Sequence, residues 1–119
     1  MLKAAVYARF SSDLQRATSI EDQIRVCQTA ASRFGCVVLE THVYRDEELS
    51  GATGQRPGYQ ALLAAAKERR FDAILVESQD RLWRNQGEMH QALERFTFWG
   101  IRVFSVGTGS DLRSRKEIT

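Results

Sequence analysis

The stretch "AAVYARFSSDLQ", Ala4 to Gln15, decides the fold. Its apolar run, Ala4 to Ala8, suits a strand buried on both faces, which is the pattern of a parallel sheet. The run stops at Arg9 and Phe10 and passes into Ser11 and Ser12. A buried strand thus delivers a cation and two hydroxyls to its carboxyl end.

Beyond that strand, Ser19 followed by Glu21 and Asp22 opens a stretch in which Ile20, Ile24, Cys27, Ala30, Ala31 and Phe34 recur at helical spacing. The acidic residues stand in the first turn, where the helix dipole favours them, and Gly35 ends the pattern. Cys36 to Tyr44 reads as a second strand, and "DEELSGATGQRPGY" as a long glycine-bearing connection. Tyr59, Leu62, Leu63 and Ala66 mark an amphipathic helix that closes on Lys67, Arg69 and Arg70. Phe71 to Val76 is the third strand and "ESQDRLWRNQGE" a second polar crossing. Met89, Leu93, Phe96 and Phe98 suggest another helix, closed by Gly100, before a fourth strand over Ile101 to Val106. This alternation predicts an α/β fold of three layers, a mainly parallel sheet with helices on both faces. Residues 1–107 form the predicted domain, and residues 108–119 read as a polar tail.

The 119 residues, 43% of them apolar, suffice for one continuous core. Seventeen Lys and Arg against fifteen Asp and Glu leave a net charge of +2, too small for the electrostatic footprint of a stand-alone DNA-binding module. Any contact with nucleic acid must come from locally placed arginines. Cys27 and Cys36 have neither CxxC spacing nor a histidine cluster beside them, so they read as buried, reduced thiols. No apolar run approaches the ~20 residues of a membrane span, and the expected location is cytoplasmic.

In open α/β sheets, ligands sit beyond the carboxyl ends of the strands, near a switch in strand order. The polar groups leaving those ends are Arg9, Ser11 and Ser12, then Arg45 to Glu48, then Glu77 to Arg84. They should converge on one sheet edge. Arg81 and Arg84 are three apart and would share a face of a helix, with Asp80 beside them to orient a guanidinium. A phosphodiester is the natural target of such arginines, since the planar fork pairs with two phosphate oxygens. A nearby serine could be the attacking oxygen.

Plainer readings stand beside this one. A surface arginine is usually solvated, and a serine after a strand is more often a turn former or helix cap. GxGxxG, GxxxxGK[ST] and GxSxG are absent from the sequence, which removes the usual support for dinucleotide, P-loop and hydrolase readings. His42 and His90 are far apart, and the run Asp46, Glu47, Glu48 is equally well explained as an exposed loop, so no metal is expected.

The segments "YARFSSDLQ", "SIEDQIR", "ELSGATGQRPGYQALL" and "DRLWRN" together resemble the catalytic domain of the serine recombinases, the resolvase and invertase family. "SIEDQ" and "GQRPGY" are more similar to the large serine recombinases of phages and mobile elements than to small resolvases. The resemblance spans essentially the whole chain and implies a resolvase-like domain with flavodoxin-like strand order. It implies that Ser11 is the nucleophile and Ser12 its neighbour. Arg9, Arg81 and Arg84 become phosphate ligands, and Asp80 orients an arginine or assists protonation of the leaving oxygen. Gln15, Gln23 and Arg56 become supporting residues, although simple loop polarity explains Gln15 equally well. Trp83 falls at a variable position of the family pattern.

The implied activity is site-specific DNA recombination through a 5′-phosphoseryl intermediate, without metal or cofactor. The implied partners are double-stranded DNA attachment sites and further copies of the chain, dimers pairing into a tetramer. Family members continue into a long helix and DNA-binding modules, so a piece of this length is expected to bind DNA weakly and to be incomplete for recombination. Two other readings remain, a non-catalytic α/β interaction module and a small phosphoryl-transfer domain.

Overall fold

The computed structural model describes residues 1–10, 19–47 and 56–112. Strand β1 runs Leu2–Phe10 and helix α1 Ile20–Ala30, extended by a 3-10 turn over Ala31–Phe34. Strand β2 is Cys36–Glu47, helix α2 Pro57–Lys67 and strand β3 Ala73–Val76. The short helix α3, Gln79–Leu82, precedes α4, Gln86–Trp99, and the chain closes with β4, Arg102–Ser105, and β5, Ser110–Leu112. Five strands lie in the order β2-β1-β3-β4-β5, all parallel except β5, which runs antiparallel to β4. The α/β fold and the flavodoxin-like strand order are those expected from the sequence.

Alternation along β1 divides the core into two layers. Ala4, Val6 and Ala8 face α1, where they meet Ile20, Ile24, Cys27 and Ala30. Ala5 and Tyr7 face the other way, toward Tyr59, Leu62 and Ala66 of α2 and Leu93 and Phe96 of α4. Strand β3, sequence AILV, is fully buried in the middle of the sheet. Each of its larger side chains contributes about 1.5–3 kcal/mol through removal from water. The 3-10 extension of α1 and helix α4 both end where predicted, at Gly35 and Gly100, which take positive φ of 69° and 77°.

The structure departs from the sequence reading in four places. Strand β2 continues past Tyr44 to Glu47, so Asp46 is a buried strand residue and not part of an exposed loop. The crossing after β3 contains the helical turn α3. Phe98 is 88% exposed, because it lies two residues past Phe96 and so on the far side of α4 from Leu93. Ser110–Leu112, inside the stretch read as a polar tail, forms a strand, because β4 has an open edge whose backbone groups it satisfies.

Candidate active site at the carboxyl edge of the sheet

The switch in strand order falls between β1 and β3, because the chain leaves β1 for α1 on one face and returns through α2 on the other. Arg9 stands near the end of β1 and in register with Asp46 of β2. Glu77 follows β3 directly. The convergence expected from the sequence is met by Arg9, Asp46, Glu77 and Arg81.

Arg9 is nearly buried, and its guanidinium is held by backbone. Nε donates to the carbonyl of Arg81 at 2.9 Å and Nη2 to that of Asp80 at 2.6 Å. The Arg9 peptide is clasped by Gln23 of α1: its N–H donates to Oε1 at 3.1 Å, and Nε2 donates to its carbonyl at 3.0 Å. Arg81 is only 2% exposed. Its Nε and Nη2 donate to Glu77 Oε1 at 3.2 and 3.1 Å, one helical turn away, and Nη1 reaches the Arg9 carbonyl at 3.3 Å. A buried guanidinium with a carboxylate partner and a carbonyl escapes the penalty of an uncompensated charge. The two arginines therefore brace each other, each bonding the other's backbone.

Asp80 and Arg84 stand apart from the arrangement that helical spacing would give. Asp80 is exposed and its carboxylate accepts from the Ser78 hydroxyl, while its backbone, not its side chain, orients Arg9. Arg81 and Arg84 do not share a helical face. Helix α3 ends at Leu82, and Trp83 is extended with φ −131° and ψ 148°. The break turns Arg81 into the core and leaves Arg84 exposed. Ser11, Ser12 and Gln15 lie outside the described residues.

Arg56 binds the same segment from the other side. Its Nη1 donates to the Leu82 carbonyl at 2.6 Å, supplying a partner for the orphan acceptor at the end of α3. Its Nη2 donates to Glu88 Oε1 at 3.2 Å, and its guanidinium carbon lies 4.1 Å from the centre of the Tyr59 ring. Trp83 Nε1 donates to Tyr59 Oη at 3.0 Å, and the Arg84 N–H donates to Glu88 Oε1 at 3.2 Å. Leu82, Trp83 and Arg84 are thus each tied to the first turn of α2 or of α4.

Asp46 fastens α2 to the sheet, a role the sequence reading missed. Its Oδ1 accepts from the Gly58 N–H at 2.7 Å, and its Oδ2 accepts from the Tyr59 N–H at 2.8 Å and the Tyr7 hydroxyl at 2.6 Å. A carboxylate at this end of a helix meets unpaired amides and the positive end of the dipole. Burial first, then the Asp46 bond and charge, push the Tyr7 phenol far above its ordinary range, so it stays a proton donor. Burial also raises Tyr59, against the pull of the Trp83 bond and the Arg56 charge. The spacing of Glu77 and Arg81 was the one available signal for that ion pair. No group of three or more potential metal ligands occurs among the described residues. No helix among them is long and apolar enough to cross a membrane.

Comparison with known proteins supplies the context for this geometry. The family model "Resolvase, N terminal domain" matches residues 4–117. The serine recombinases PinR and PinQ of Escherichia coli (strain K12) are each 33% identical over 116 residues, 96% of this chain and 55% of theirs. The chain therefore spans about half the length of these curated relatives. The N-terminal catalytic domain of TP901-1 integrase is 31% identical with a TM-score of 0.75, over 92% of this chain and 80% of that one. The C-terminal catalytic domain of ISC1926 TnpA, an IS607-like serine recombinase, is 33% identical with a TM-score of 0.70, over 87% and 70%. A resolvase family site-specific recombinase from Streptococcus pneumoniae shares the fold, with a TM-score of 0.78 over 93% and 76% at 22% identity. With the strand order, the edge cluster and these matches in agreement, the chain belongs to the resolvase family of serine recombinases, through its N-terminal domain.

Proposed function

We propose that this chain performs the covalent chemistry of a serine-type site-specific DNA recombinase. The observation that carries the reading is the clasped end of β1. Arg9 and Arg81 set two buried guanidiniums there, Arg81 paired with Glu77, and Gln23 fixes the peptide two residues before Ser11. In the proposed reaction, Ser11 Oγ loses its proton and attacks the scissile phosphorus. A phosphoserine ester forms at the 5′ end as the bond from phosphorus to the 3′ oxygen breaks, and that oxygen leaves as a hydroxyl after taking up a proton. In this reading, charge building on the non-bridging oxygens is met by Arg9, Arg81 and Arg84. Asp80 acts nearby on an arginine or on the leaving oxygen, with Gln15 and Arg56 in support.

Attack by the 3′ hydroxyl of a partner strand on the ester reverses the chemistry and rejoins DNA without a nucleotide cofactor. The proposed partners are duplex attachment sites and other copies of the chain, as dimers that assemble into a tetramer in the cytoplasm. Residues 1–107, which β5 follows, form the proposed chemical unit.

The test uses nicked suicide duplexes drawn from DNA bordering the protein's own coding sequence. A covalent protein–DNA adduct is expected with the parent and with Ser12→Ala, and none with Ser11→Ala. Chelation of magnesium should leave the yield unchanged. An adduct that persists in Ser11→Ala would overturn the assignment.

A further inference from the structure

Glu77 follows β3 directly, and its Oε1 accepts from both Nε and Nη2 of Arg81, at 3.2 and 3.1 Å. Nη1 of Arg81 donates to the Arg9 carbonyl at 3.3 Å, so three bonds from two elements set the plane of the guanidinium. The Arg9 peptide is in turn the one clasped by Gln23, two residues before Ser11. Glu77 is itself fixed through its backbone. Its carbonyl accepts from the Gly107 N–H at 2.8 Å, one step beyond the bond from the Val106 N–H to the Val76 carbonyl, also 2.8 Å. This approach needs glycine. A Cβ at Gly107 would lie 2.6 Å from the Glu77 carbonyl oxygen, so any other residue there must push Glu77 or the turn aside.

We propose that Glu77, seated by Gly107, is a positioning residue for the recombination chemistry, setting the guanidinium of Arg81 and through it the Arg9 peptide that leads to Ser11. The inference rests on the recombinase reading and deepens it at the same site. The plainer role for Glu77 is to compensate a buried charge. Compensation alone asks only for a carboxylate nearby, because Coulomb attraction has no preferred direction. The arrangement is more exacting than that. One oxygen is shared between two adjacent donors, and it belongs to a residue whose backbone is held by pairing at the end of a fully buried strand. A displacement of Glu77 is passed through hydrogen bonds to Arg81 and then to the end of β1, where misplacement on the order of 1 Å at a reacting centre costs about a hundredfold in rate.

The test compares single-turnover rates of covalent adduct formation on the nicked duplexes over a range of DNA concentrations. Glu77→Asp keeps the charge but is one methylene shorter, which withdraws the acceptor from Arg81. Its maximal rate should fall about tenfold or more, with the half-saturating DNA concentration within about twofold of the parent. Glu77→Gln keeps the reach and an acceptor oxygen without the charge, and its rate should stay within about threefold of the parent. Charge compensation alone would give the reverse order. Gly107→Ala should slow the reaction as Glu77→Asp does, while Thr108→Ala, on the same turn but bonded to Ser105 and Ser110, should stay parent-like. Circular dichroism checks that each variant keeps the parent fold, and Gly107→Ala reads the link with the Glu77 and Arg81 side chains intact. A parent-like rate in Glu77→Asp, or a slower rate in Glu77→Gln than in Glu77→Asp, overturns the positioning role and leaves the recombinase reading standing. Equal slowing by Gly107→Ala and Thr108→Ala overturns the seat. Absence of an adduct from the parent removes the recombinase reading and the positioning role with it.

Discussion

Arg81 and Arg84 are neighbours in sequence and opposites in circumstance. At the carboxyl edge of the sheet, Arg81 lies in the core and gives its donors to Glu77 and to the Arg9 carbonyl. Beside the first turn of α4, Arg84 is exposed, and its backbone N–H donates to Glu88 Oε1. The first region is a rigid frame whose charges are compensated internally. The second lies at the protein surface, beside the first turn of α4. A residue type alone therefore says little about role, and the difference between the two arginines comes from one extended residue, Trp83.

The contrast is tested most severely by Arg81→Ala. It strands the Glu77 carboxylate, 15% exposed, without its partner, and urea unfolding should show a loss of about 3–5 kcal/mol. A loss under about 1 kcal/mol would mean that the frame is no more structural than the surface around Arg84. Asp46→Ala comes next. It leaves two amides of α2 and the Tyr7 hydroxyl without an acceptor, and the expected cost is about 2–4 kcal/mol, with faster amide exchange at the start of α2.

Cys27 reports on the closed side of the sheet. Burial, with a smaller push from Glu77, raises its thiol to about 12 from an ordinary 9.0. Raised in the folded state, this group contributes stability that is complete below 9.0 and is lost as pH climbs toward 12. Iodoacetamide at mildly alkaline pH should accordingly modify Cys27 only after urea unfolding, and rapid native labelling would show that the layer is open. The smallest effect belongs to Arg84→Ala, whose unfolding free energy should stay within about 0.5 kcal/mol of the parent.

Much of this was legible from local pattern. The apolar run of β1, the helical spacing of α1 and the order of strands and helices follow from periodicity, and they place Arg9 and Glu77 at one edge without further information. The place of Arg81 at this edge was legible, but its separation from Arg84 was not, because the pair was judged on helical spacing and the helix stops between them. Asp46 was illegible for a related reason. Helix caps are sought next to the helix they cap, and this one arrives from a neighbouring strand, twelve residues before Gly58. Strand β5 is short and polar, and its pairing depends on the open edge of β4 rather than on its own sequence. The approach of Arg56 to the Leu82 carbonyl is likewise a tertiary contact with no local signature.

The register of β2 against β1 sets the face on which Asp46 stands. Between the pairs Ala4–Val38 and Val6–Val43, β1 advances two residues while β2 advances five. Strict alternation would put residues five apart on opposite faces, yet Val38 and Val43 both pack on the α1 layer, and Leu39 and Tyr44 both pack on the α2 layer. The irregularity between the two pairs therefore absorbs an odd step and returns Tyr44 and Asp46 to the α2 side. A one-residue slip of β2 beyond it would turn Asp46 away from Gly58 and Tyr59 and undo the fastening of α2.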